Sequence, residues 1–485
     1  MSQTQTKTSS GDWRALLVAA TGTFMATLDS GIVNTALPTI AQGFGASLPE
    51  AQWIVACYFL VISCLLPLFG RLGDTRGRRP MYQLGFVIFT VASMLCGAAP
   101  SLAWLIAARV GQGIGAAMLM ANGPAIIMAA FPGPTRGRAL GLVGMTVALG
   151  SLTGPGLGGL LLQGFGWRSV FYVNLPIGLA GIALARRYLP RMEQLRKNPL
   201  DILGAVLFAI GMTTLLLGII HGHDWGWSSP VILGCLITAV LALGAFGVWE
   251  CRVDHPMIDM SLFRIWPFLS GNIVAFLAFL SMFTTAILMP FYLQQQMHFS
   301  PLMIGAVLST LPLSMAVSAP ISGYLSERIN FGTLTTLGMA VTSFGLYFQS
   351  LLGPLSPHWR IFAGQVILGL GVGIFMSPNN NSVLSSAPQD KLGLVSGVLA
   401  LVRNVGMVSG IAVAITMFEG FQGLARSAGA PPVDAFFAGF HASLTTGACL
   451  ALFAGLLSWN RRGLFRSKPE PKHTIIHKAA ESTRP

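Results

Sequence analysis

One carboxylate lies deep inside the first apolar stretch of the chain. Asp29 stands fifteen residues after residue 14, where this stretch begins, in the segment LDSGIVN that ends at Asn34. An acid within a membrane is costly and usually faces the interior of a helix bundle or a water-filled cavity. We predict that Asp29 exchanges a proton or a cation and that Asn34 lines the same cavity. The alternative is an acid paired with an arginine or a backbone group for structural reasons.

The fourth apolar stretch contains an arginine and a glutamine close together in sequence. Arg109 precedes Gln112 by three residues, so the two side chains share one face of a helix. A fixed positive charge close to a titrating acid would assist proton exchange. Asp29, Arg109 and Gln112 are therefore our candidates for proton coupling. The alternative is an arginine that anchors helix packing through carbonyl groups.

A second cation falls within a later apolar stretch. Arg403 and Asn404 are adjacent there, and no acid is close in sequence. A buried cation needs a partner or a wet cavity. Asn380 belongs to a run of three asparagines after Pro378, which either lines a cavity or caps a helix. Asn380, Arg403 and Asn404 are candidates for the substrate cavity, with a packing role as the alternative.

Membrane-spanning helices must position these residues. The 485 residues are 53% hydrophobic and only 9% charged, whereas about 25% of a soluble domain is charged. A span needs roughly 20 apolar residues, and the apolar runs predict fourteen helices. Their predicted ranges are 14–36, 51–70, 80–99, 102–123, 136–162, 168–189, 199–221, 229–250, 268–296, 301–325, 332–352, 359–378, 393–418 and 436–459. This composition excludes a soluble enzyme, and the sequence contains no nucleotide-binding loop, catalytic triad or metal-ligand spacing.

The positive charges predict the orientation of the helices. The chain has 29 Lys and Arg against 16 Asp and Glu, a net charge of +13. When the N-terminus is placed in the cytoplasm, most of the Lys and Arg fall in inner segments, and the outer loops hold only Arg168, Arg360 and Arg426. This asymmetry predicts that both termini are cytoplasmic. It also accounts for the net charge without a nucleic-acid partner.

The sequence contains an internal repeat. When the sequence is shifted by 256 residues, the fourth and fifth predicted helices align with the twelfth and thirteenth. Gly113 then aligns with Gly369, and Gly154 aligns with Gly410. The shift spans an even number of helices, and the two copies therefore share one orientation, as do the parallel halves of many transporters. The predicted divisions are a cytoplasmic tail (1–13), a first six-helix bundle (14–190), two additional helices with their linkers (191–264), a second six-helix bundle (265–459) and a basic cytoplasmic tail (460–485).

Residues 70–80 form the densest charge cluster before the C-terminal tail. We predict that they are the loop between the second and third helices, with glycines that allow a tight turn. An acid among four arginines indicates a charge-paired latch at the cytoplasmic face, whereas setting the orientation is the simpler role. The residues of this candidate gating motif are Gly70, Gly73, Asp74, Arg78 and Arg79.

The fifth predicted helix contains GSLTGPGLGG at residues 150–159. Glycines four residues apart let a second helix approach closely, and the proline removes one helical hydrogen bond. The spacing fits either close helix packing or a moving hinge. The residues of this segment that we single out are Gly150, Gly154, Pro155, Gly158 and Gly159.

Together these segments resemble the major facilitator superfamily, in particular its fourteen-helix group of drug:proton antiporters. Residues 70–80 are similar to the cytoplasmic motif GxLaDrxGrk, and residues 109–115 to the RxxQGxG motif, which the family associates with proton transfer. Residues 150–159 are similar to the antiporter motif gxxxGPxxGG. Residues 28–38, LDSGIVNTALP, resemble the first-helix signature of the fourteen-helix group, and residues 167–178 fit its WRxxFxxNxPIG stretch. The resemblance covers nearly the whole chain.

The resemblance implies an all-α integral membrane protein with two parallel-related six-helix bundles and two extra helices between them. It further implies proton-coupled efflux of lipophilic small molecules, cations above all, by alternating access. The expected setting is a bacterial inner membrane, in which the protein contacts lipids, acts as a monomer, and needs no metal and no cofactor besides protons. Two other classes remain open: an exporter or facilitator of one metabolite on the same fold, and a non-transporting receptor. The antiporter motif argues against the first, and the short loops argue against the second.

Overall fold

The chain folds into helices that are long and apolar enough to cross a membrane fourteen times. The computed structural model describes residues 13–131, 135–189, 201–222, 225–254, 256–326, 328–386 and 392–460. Its α-helices are α1 (Trp13–Phe44), α2 (Leu48–Arg76), α3 (Arg78–Gly97), α4 (Leu102–Ala130), α5 (Thr135–Phe165), α6 (Ser169–Tyr172), α7 (Asn174–Tyr188), α8 (Ile202–His221), α9 (Pro230–Glu250), α10 (Trp266–Phe291), α11 (Pro301–Leu325), α12 (Phe331–Ser350), α13 (His358–Ser385), α14 (Leu392–Ser427) and α15 (Pro432–Trp459). The described residues contain no β-strand. The prediction of an all-α membrane protein with fourteen spans is confirmed.

Two of the spans are not single regular α-helices. The sixth consists of the short α6 followed by α7, with Val173 between them. The ninth consists of α10 and one turn of π-helix, Tyr292–Gln296. Pro290 lies just before this turn and removes one helical hydrogen bond. The wider turn places Gln294 where it contacts the first bundle, as described below.

The helices form two bundles with matching internal contacts. In the first bundle α1 packs on α5, α2 on α4, and α3 on α4 and α7. In the second bundle α10 packs on α14, α11 on α13, and α12 on α13 and α15. The additional helices α8 and α9 pack on each other, and α8 contacts both α2 and α14. We call the end of the bundles where α2 ends and α3 begins the motif end, and the opposite end the far end.

The 256-residue repeat is visible in the packing of equivalent glycines. A Cβ atom at Gly113 would lie 3.0 Å from the carbonyl oxygen of Tyr58 in α2, and one at Gly369 would lie 2.3 Å from the carbonyl oxygen of Leu311 in α11. Both positions therefore need a residue without a side chain, since the backbones of paired helices meet there. The same register thus positions α4 on α2 and α13 on α11.

Some predicted features fall on residues that the structure does not describe. The tails predicted at 1–13 and 460–485 lie outside the described residues, except for Trp13 and Asn460. Residues 191–200 of the predicted linker, and residue 190 at the end of the predicted first bundle, also lie outside them. The boundaries of the two bundles at residues 191 and 265 stay predictions.

Candidate functional site

Helices α1 and α4 position the acid and the arginine that the sequence singles out. Asp29 lies midway along α1 and is completely buried, and Arg109 and Gln112 are completely buried on α4. α1 contacts α4 directly. Because Arg109 and Gln112 are three residues apart on one helix face, both side chains reach the same carboxylate. The structure therefore brings together all three residues proposed for proton coupling.

Arg109 and Asp29 form a buried ion pair. Nη1 of Arg109 lies 2.5 Å from Oδ2 of Asp29, and both side chains are 0% exposed. Nη1 also donates to Oε1 of Gln112 at 2.7 Å, and Nε donates to the carbonyl oxygen of Ile54 in α2 at 2.8 Å. The guanidinium carbon lies 4.2 Å from the centre of the Tyr58 ring, within cation–π distance.

The second carboxylate oxygen of Asp29 accepts two amide hydrogen bonds. Nε2 of Gln112 donates to Oδ1 at 2.7 Å, and Nδ2 of Asn174 in α7 donates to it at 2.8 Å. The same two amides also donate to Oγ of Ser93 in α3, each at 2.9 Å. Ser93 in turn donates to the carbonyl oxygen of Phe171 at 3.2 Å. Both oxygens of Asp29 are therefore occupied by protein donors.

We call Asp29, Arg109, Gln112, Asn174 and Ser93 the Asp29 network. It joins α1, α3, α4 and α7 through side chains, and α2 through the Ile54 carbonyl group. One negative and one positive charge neutralise each other within it, which makes burial of both groups tolerable. A proton on Asp29 would remove the negative charge while Arg109 kept its other acceptors. Chemically, the network can therefore store a proton and change the contacts between five helices when it does so.

Asn174 and Ser93 were not among the residues predicted for the site. Asn174 has a signal in the sequence, since it lies in the NLPIG segment that resembles the family pattern. Ser93 has none, because serines are common on polar and apolar helix faces alike. Tyr58 and the carbonyl group of Ile54 were missed for a similar reason: nothing in the sequence indicates which turn of α2 faces Arg109.

A second polar cluster joins α13 and α14 in the second bundle. Nη2 of Arg403 donates to Oδ1 of Asn380 at 2.7 Å, and the guanidinium carbon lies 5.7 Å from the centre of the Phe279 ring in α10. Asn380 lies inside α13, which continues to Ser385. The alternative that the asparagine run caps the helix is therefore wrong. Pro378 is accommodated within the helix instead of ending it.

Asn34 and Asn404 do not join either cluster through a hydrogen bond in the described part of the chain. Asn34 is half-buried and lies five residues after Asp29, about 140° around the helix. Asn404 is 3% exposed, and its Nδ2 has no hydrogen-bond partner among the described residues. No three His, Cys, Asp or Glu side chains in that part lie close enough to hold a metal ion.

The segment predicted as a loop at residues 70–80 is almost entirely helical, so this prediction is wrong. Only Gly77 separates α2 from α3, with φ of 101°, a conformation that glycine adopts without steric cost. Gly70 and Gly73 lie within α2. A Cβ atom at Gly73 would overlap the side chain of Asn122 in α4. Gly73 therefore serves close packing of α2 on α4 and not a turn.

Asp74, predicted to pair with one of the four arginines around it, pairs with Arg78 at the motif end. Nη2 of Arg78 lies 2.7 Å from Oδ1 of Asp74, and its Nη1 donates to the carbonyl oxygen of Ala125 in α4 at 2.8 Å. Arg79 donates to the carbonyl oxygen of Arg186 in α7 at 2.7 Å. Such partly exposed pairs contribute at most about 1 kcal/mol. Their effect is to fix the relative positions of α2, α3, α4 and α7.

Three glycines of the fifth-helix motif form one face that packs on α1. Gly150, Gly154 and Gly158 follow one another at four-residue intervals, and each lies against the backbone of α1. A Cβ atom at Gly154 would lie 2.9 Å from the Cα atom of Gly31. Pro155 lies beside this face, inside α5. This face therefore packs α5 closely on the helix that carries Asp29, and the alternative of a moving hinge stays a prediction.

Gly159 faces the other bundle at the far end. A Cβ atom there would lie 2.5 Å from the carbonyl oxygen of Pro301 and 3.2 Å from the Cα atom of Gly305 in α11. Nearby, Oγ1 of Thr39 donates to Oε1 of Gln294 at 3.1 Å. The two bundles are therefore in contact at the far end, and Gly159 lets their backbones approach.

We expect Gly159→Ala to disfavour closure of the far end, because its methyl group would overlap the Pro301 carbonyl oxygen. Overpacking of this kind costs about 1–3 kcal/mol. In this variant, Thr39→Cys in a cysteine-free background should react faster with a membrane-impermeant maleimide. Gly164→Ala is the matched control, since no atom lies within 4 Å of a Cβ at Gly164 in the same helix. Equal maleimide reactivity in the two variants would contradict this role of Gly159.

The fold and the buried network can now be compared with known proteins. A family profile described as Major Facilitator Superfamily matches residues 19–411. The chain belongs to the Major Facilitator Superfamily. It is accordingly a multi-pass membrane transporter and not an enzyme, and its fourteen spans comprise the two bundles of this superfamily and the additional pair α8 and α9.

Proteins that resemble the chain include a riboflavin transporter, a resistance and export protein, and a multidrug resistance protein. The riboflavin transporter RibZ of Clostridioides difficile is 37% identical over 402 residues, which cover 82% of this chain and 87% of RibZ. The tetracenomycin C resistance and export protein of Streptomyces glaucescens is 34% identical over 403 residues, which cover 83% of this chain and 75% of that protein. The multidrug resistance protein Stp of Mycobacterium tuberculosis is 32% identical, with 82% and 74% covered.

Solved transporter structures share the fold of this chain at low sequence identity. A POT family transporter in complex with a thioalcohol-conjugated peptide superposes with a TM-score of 0.69 at 15% identity, covering 94% of this chain and 97% of that chain. A bacterial homologue of the lysosomal transporter Spinster, crystallised in an inward-facing conformation, gives a TM-score of 0.66 at 16% identity, covering 94% and 98%.

Proposed function

We propose that this transporter exports lipophilic small molecules in exchange for protons, by alternating access of the two bundles. The observation that carries the proposal is the Asp29–Arg109 pair, completely buried within the first bundle and joined to five helices. An ionisable group inside a membrane bundle is a functional candidate by default. The proton is the coupling ion, and no other cofactor is needed.

Protonation of Asp29 links proton binding to the packing of the first bundle. The proton removes the charge that attracts Arg109, whereas the guanidinium keeps Gln112, the Ile54 carbonyl oxygen and the Tyr58 ring as partners. The contact between α1 and α4 is thereby weakened without leaving the arginine unsolvated. Loss of this contact favours a different arrangement of α1, which also packs on α5 and contacts α10 of the second bundle.

The charges of the chain support an orientation with the motif end in the cytoplasm. The arginines at positions 71, 76, 78 and 79 lie at this end, as the positive-inside rule favours. The contacts of Gly159 and Gln294 then close the outer end of the transporter. We propose a bacterial inner membrane with both termini cytoplasmic as the location, and a functional monomer among lipids as the working unit.

The relatives favour two substrate classes. The tetracenomycin C exporter and the multidrug resistance protein Stp support export of lipophilic compounds. RibZ, at 37% identity, supports transport of one specific metabolite as the second candidate. Lipophilic cations are the class that the family resemblance favours. A non-transporting receptor finds no support among these relatives.

Inverted membrane vesicles test proton-coupled export. Vesicles containing the protein are energised, and a pH-sensitive dye reports the proton gradient while ethidium, a quaternary ammonium compound or a lipophilic anion is added. We expect proton release from the vesicle interior on addition of a substrate, and no release with Asp29→Asn. Uptake of a compound without any proton movement would instead support a facilitator.

A further inference from the structure

The acid of the first bundle offers no free charge to a cationic substrate. Asp29 is 0% exposed, Arg109 donates to one of its oxygens, and Gln112 and Asn174 donate to the other. A cation would have to displace these donors before it could reach the carboxylate. The geometry therefore does not make Asp29 available as the counterion of a cationic substrate.

The second bundle holds a positive charge without a neighbouring acid. Arg403 lies eleven residues after the start of α14. Arg403 forms no ion pair with a residue that the structure describes, and the pairs Asp74–Arg78 and Asp29–Arg109 do not involve it. The acid Glu419 lies sixteen residues further along the same helix, which corresponds to about 24 Å. Arg403 therefore contributes an uncompensated charge within the membrane region, where cations normally have partners.

Part of the hydrogen-bonding capacity of Arg403 is unused. Its Nη2 donates to Asn380, whereas its Nε is buried and has no hydrogen-bond partner among the described residues. The partner that it does have is a neutral amide, which cannot balance the charge. A guanidinium presents its donors as a planar fork that matches two acceptor oxygens. The group is thus suited to bind an anionic ligand.

Apolar side chains of α10 and α13 pack beside this guanidinium. Phe279 contacts Arg403 and packs with Ala278, Met282, Val372, Phe375 and Met376. This cluster is closely packed, and it gives the guanidinium an apolar border. An acceptor group next to an aromatic or other apolar body would match the guanidinium and this border.

We propose that Arg403 and Asn380 form a subsite for lipophilic organic anions, in which Arg403 binds a carboxylate or phenolate of an aromatic substrate beside Phe279. This proposal rests on the proposed export function and changes the expected charge of the substrate. It also changes the energetics of exchange. An outgoing anion and an incoming proton both carry positive current into the cell, so the membrane potential drives export, whereas one-for-one exchange of a monovalent cation for a proton carries no current.

Two dyes with one scaffold test the charge preference. Fluorescein carries a carboxylate and a phenolate on a xanthene ring system, and rhodamine 123 is a cation on the same ring system. Full-length protein is purified, and binding of each dye is measured by fluorescence polarisation. The protein is then reconstituted in proteoliposomes, where efflux driven by a pH gradient and the transport current are recorded. We expect binding and proton-driven efflux of fluorescein, an inward positive current, and at least about tenfold weaker binding of rhodamine 123.

Variants at position 403 test the residue itself. Arg403→Gln should weaken fluorescein binding at least about tenfold, the size of effect expected for a lost charge-assisted hydrogen bond, and Arg403→Lys should retain part of it. Arg360→Gln is the matched control, since Arg360 also lies over an aromatic ring, 5.4 Å from the centre of Phe348, but at the far end of α13. If Arg403→Gln fails to fold, the Lys variant and the comparison of the two dyes on the wild type still test whether Arg403 binds the anion.

The outcomes separate this proposal from the proposed function. Fluorescein binding that is absent in the wild type, or equal in Arg403→Gln and wild type, would overturn the anion subsite. Proton-driven efflux of rhodamine 123 without that of fluorescein would overturn it too, yet would support proton-coupled export. Fluorescein efflux that depends on Arg403 but not on a proton gradient would uphold the subsite and contradict the proposed coupling.

Discussion

The Asp29→Asn variant is expected to lose proton-driven export completely while it still exchanges substrate for substrate. An amide cannot take up or release a proton, so the proton gradient has no group on which to act. The variant has the charge of protonated Asp29, and Arg109 keeps its bonds to Gln112 and the Ile54 carbonyl oxygen. The fold should therefore survive. Proteoliposomes measure both activities, as efflux driven by a pH jump and as counterflow at equal pH.

Glu419→Gln is the matched control for this experiment. Glu419 is another acid within a membrane helix, on α14, and it lies outside the Asp29 network. We expect its replacement to leave proton-driven efflux at the wild-type rate. Wild-type efflux in Asp29→Asn would contradict the proton-binding role of Asp29. Loss of counterflow together with efflux would show that the carboxylate is needed for structure instead.

Arg109→Gln is expected to lower the stability of the protein substantially. Removal of one partner from a buried ion pair costs about 3–5 kcal/mol, because the other charge remains buried without compensation. The change also leaves the carbonyl oxygen of Ile54 without its donor. Proton-driven export should be lost as well, since protonation of Asp29 could no longer change its contact with Arg109. Thermal unfolding of the purified protein in detergent measures the loss of stability.

A double variant distinguishes the ion pair from simple packing. Asp29→Asn combined with Arg109→Gln contains no charge in the network, so we expect it to be more stable than the sum of the two single changes predicts. A coupling energy of about 0.5–3 kcal/mol is typical of residues in contact. Strictly additive effects would show that Arg109 acts through packing alone. Arg360→Gln, remote from the network, serves as the control for loss of an arginine.

The chemistry of the first bundle was predictable because it consists of residues that are rare in membrane helices. Asp29 and Arg109 stand out in the sequence because burying a charged side chain in a membrane helix costs free energy. The three-residue spacing of Arg109 and Gln112 places both on one helix face. The fourteen spans were equally predictable, since hydropathy reports the length of each apolar run. The pairing of α4 with α2 was not predicted, because the repeat shows which glycines are equivalent but not which helix each one faces.

The residues that the sequence did not indicate are those whose role depends on the rotation of a neighbouring helix. Ser93 belongs to the Asp29 network, and Tyr58 contacts it, because α3 and α2 are rotated so that these side chains point inward. Hydropathy carries no information on the rotation of a helix about its axis. Helix ends were missed for a different reason. Residues 70–76 are charged and contain glycine, yet they continue α2, because packing of Gly73 on Asn122 outweighs a weak local propensity.

Proton release by the purified protein is the most direct test of the coupling site. The protein is placed in weakly buffered detergent solution, and a compound that the vesicle assay identifies as a substrate is added. A pH indicator measures the pH change on addition, and the measurement is repeated from acidic to alkaline pH. Antiport requires that substrate and proton weaken each other's binding, and this coupling is reciprocal. We predict stoichiometric proton release by the wild type and none by Asp29→Asn. Equal release by both proteins, or substrate binding to the wild type without any release, would contradict Asp29 as the coupling site.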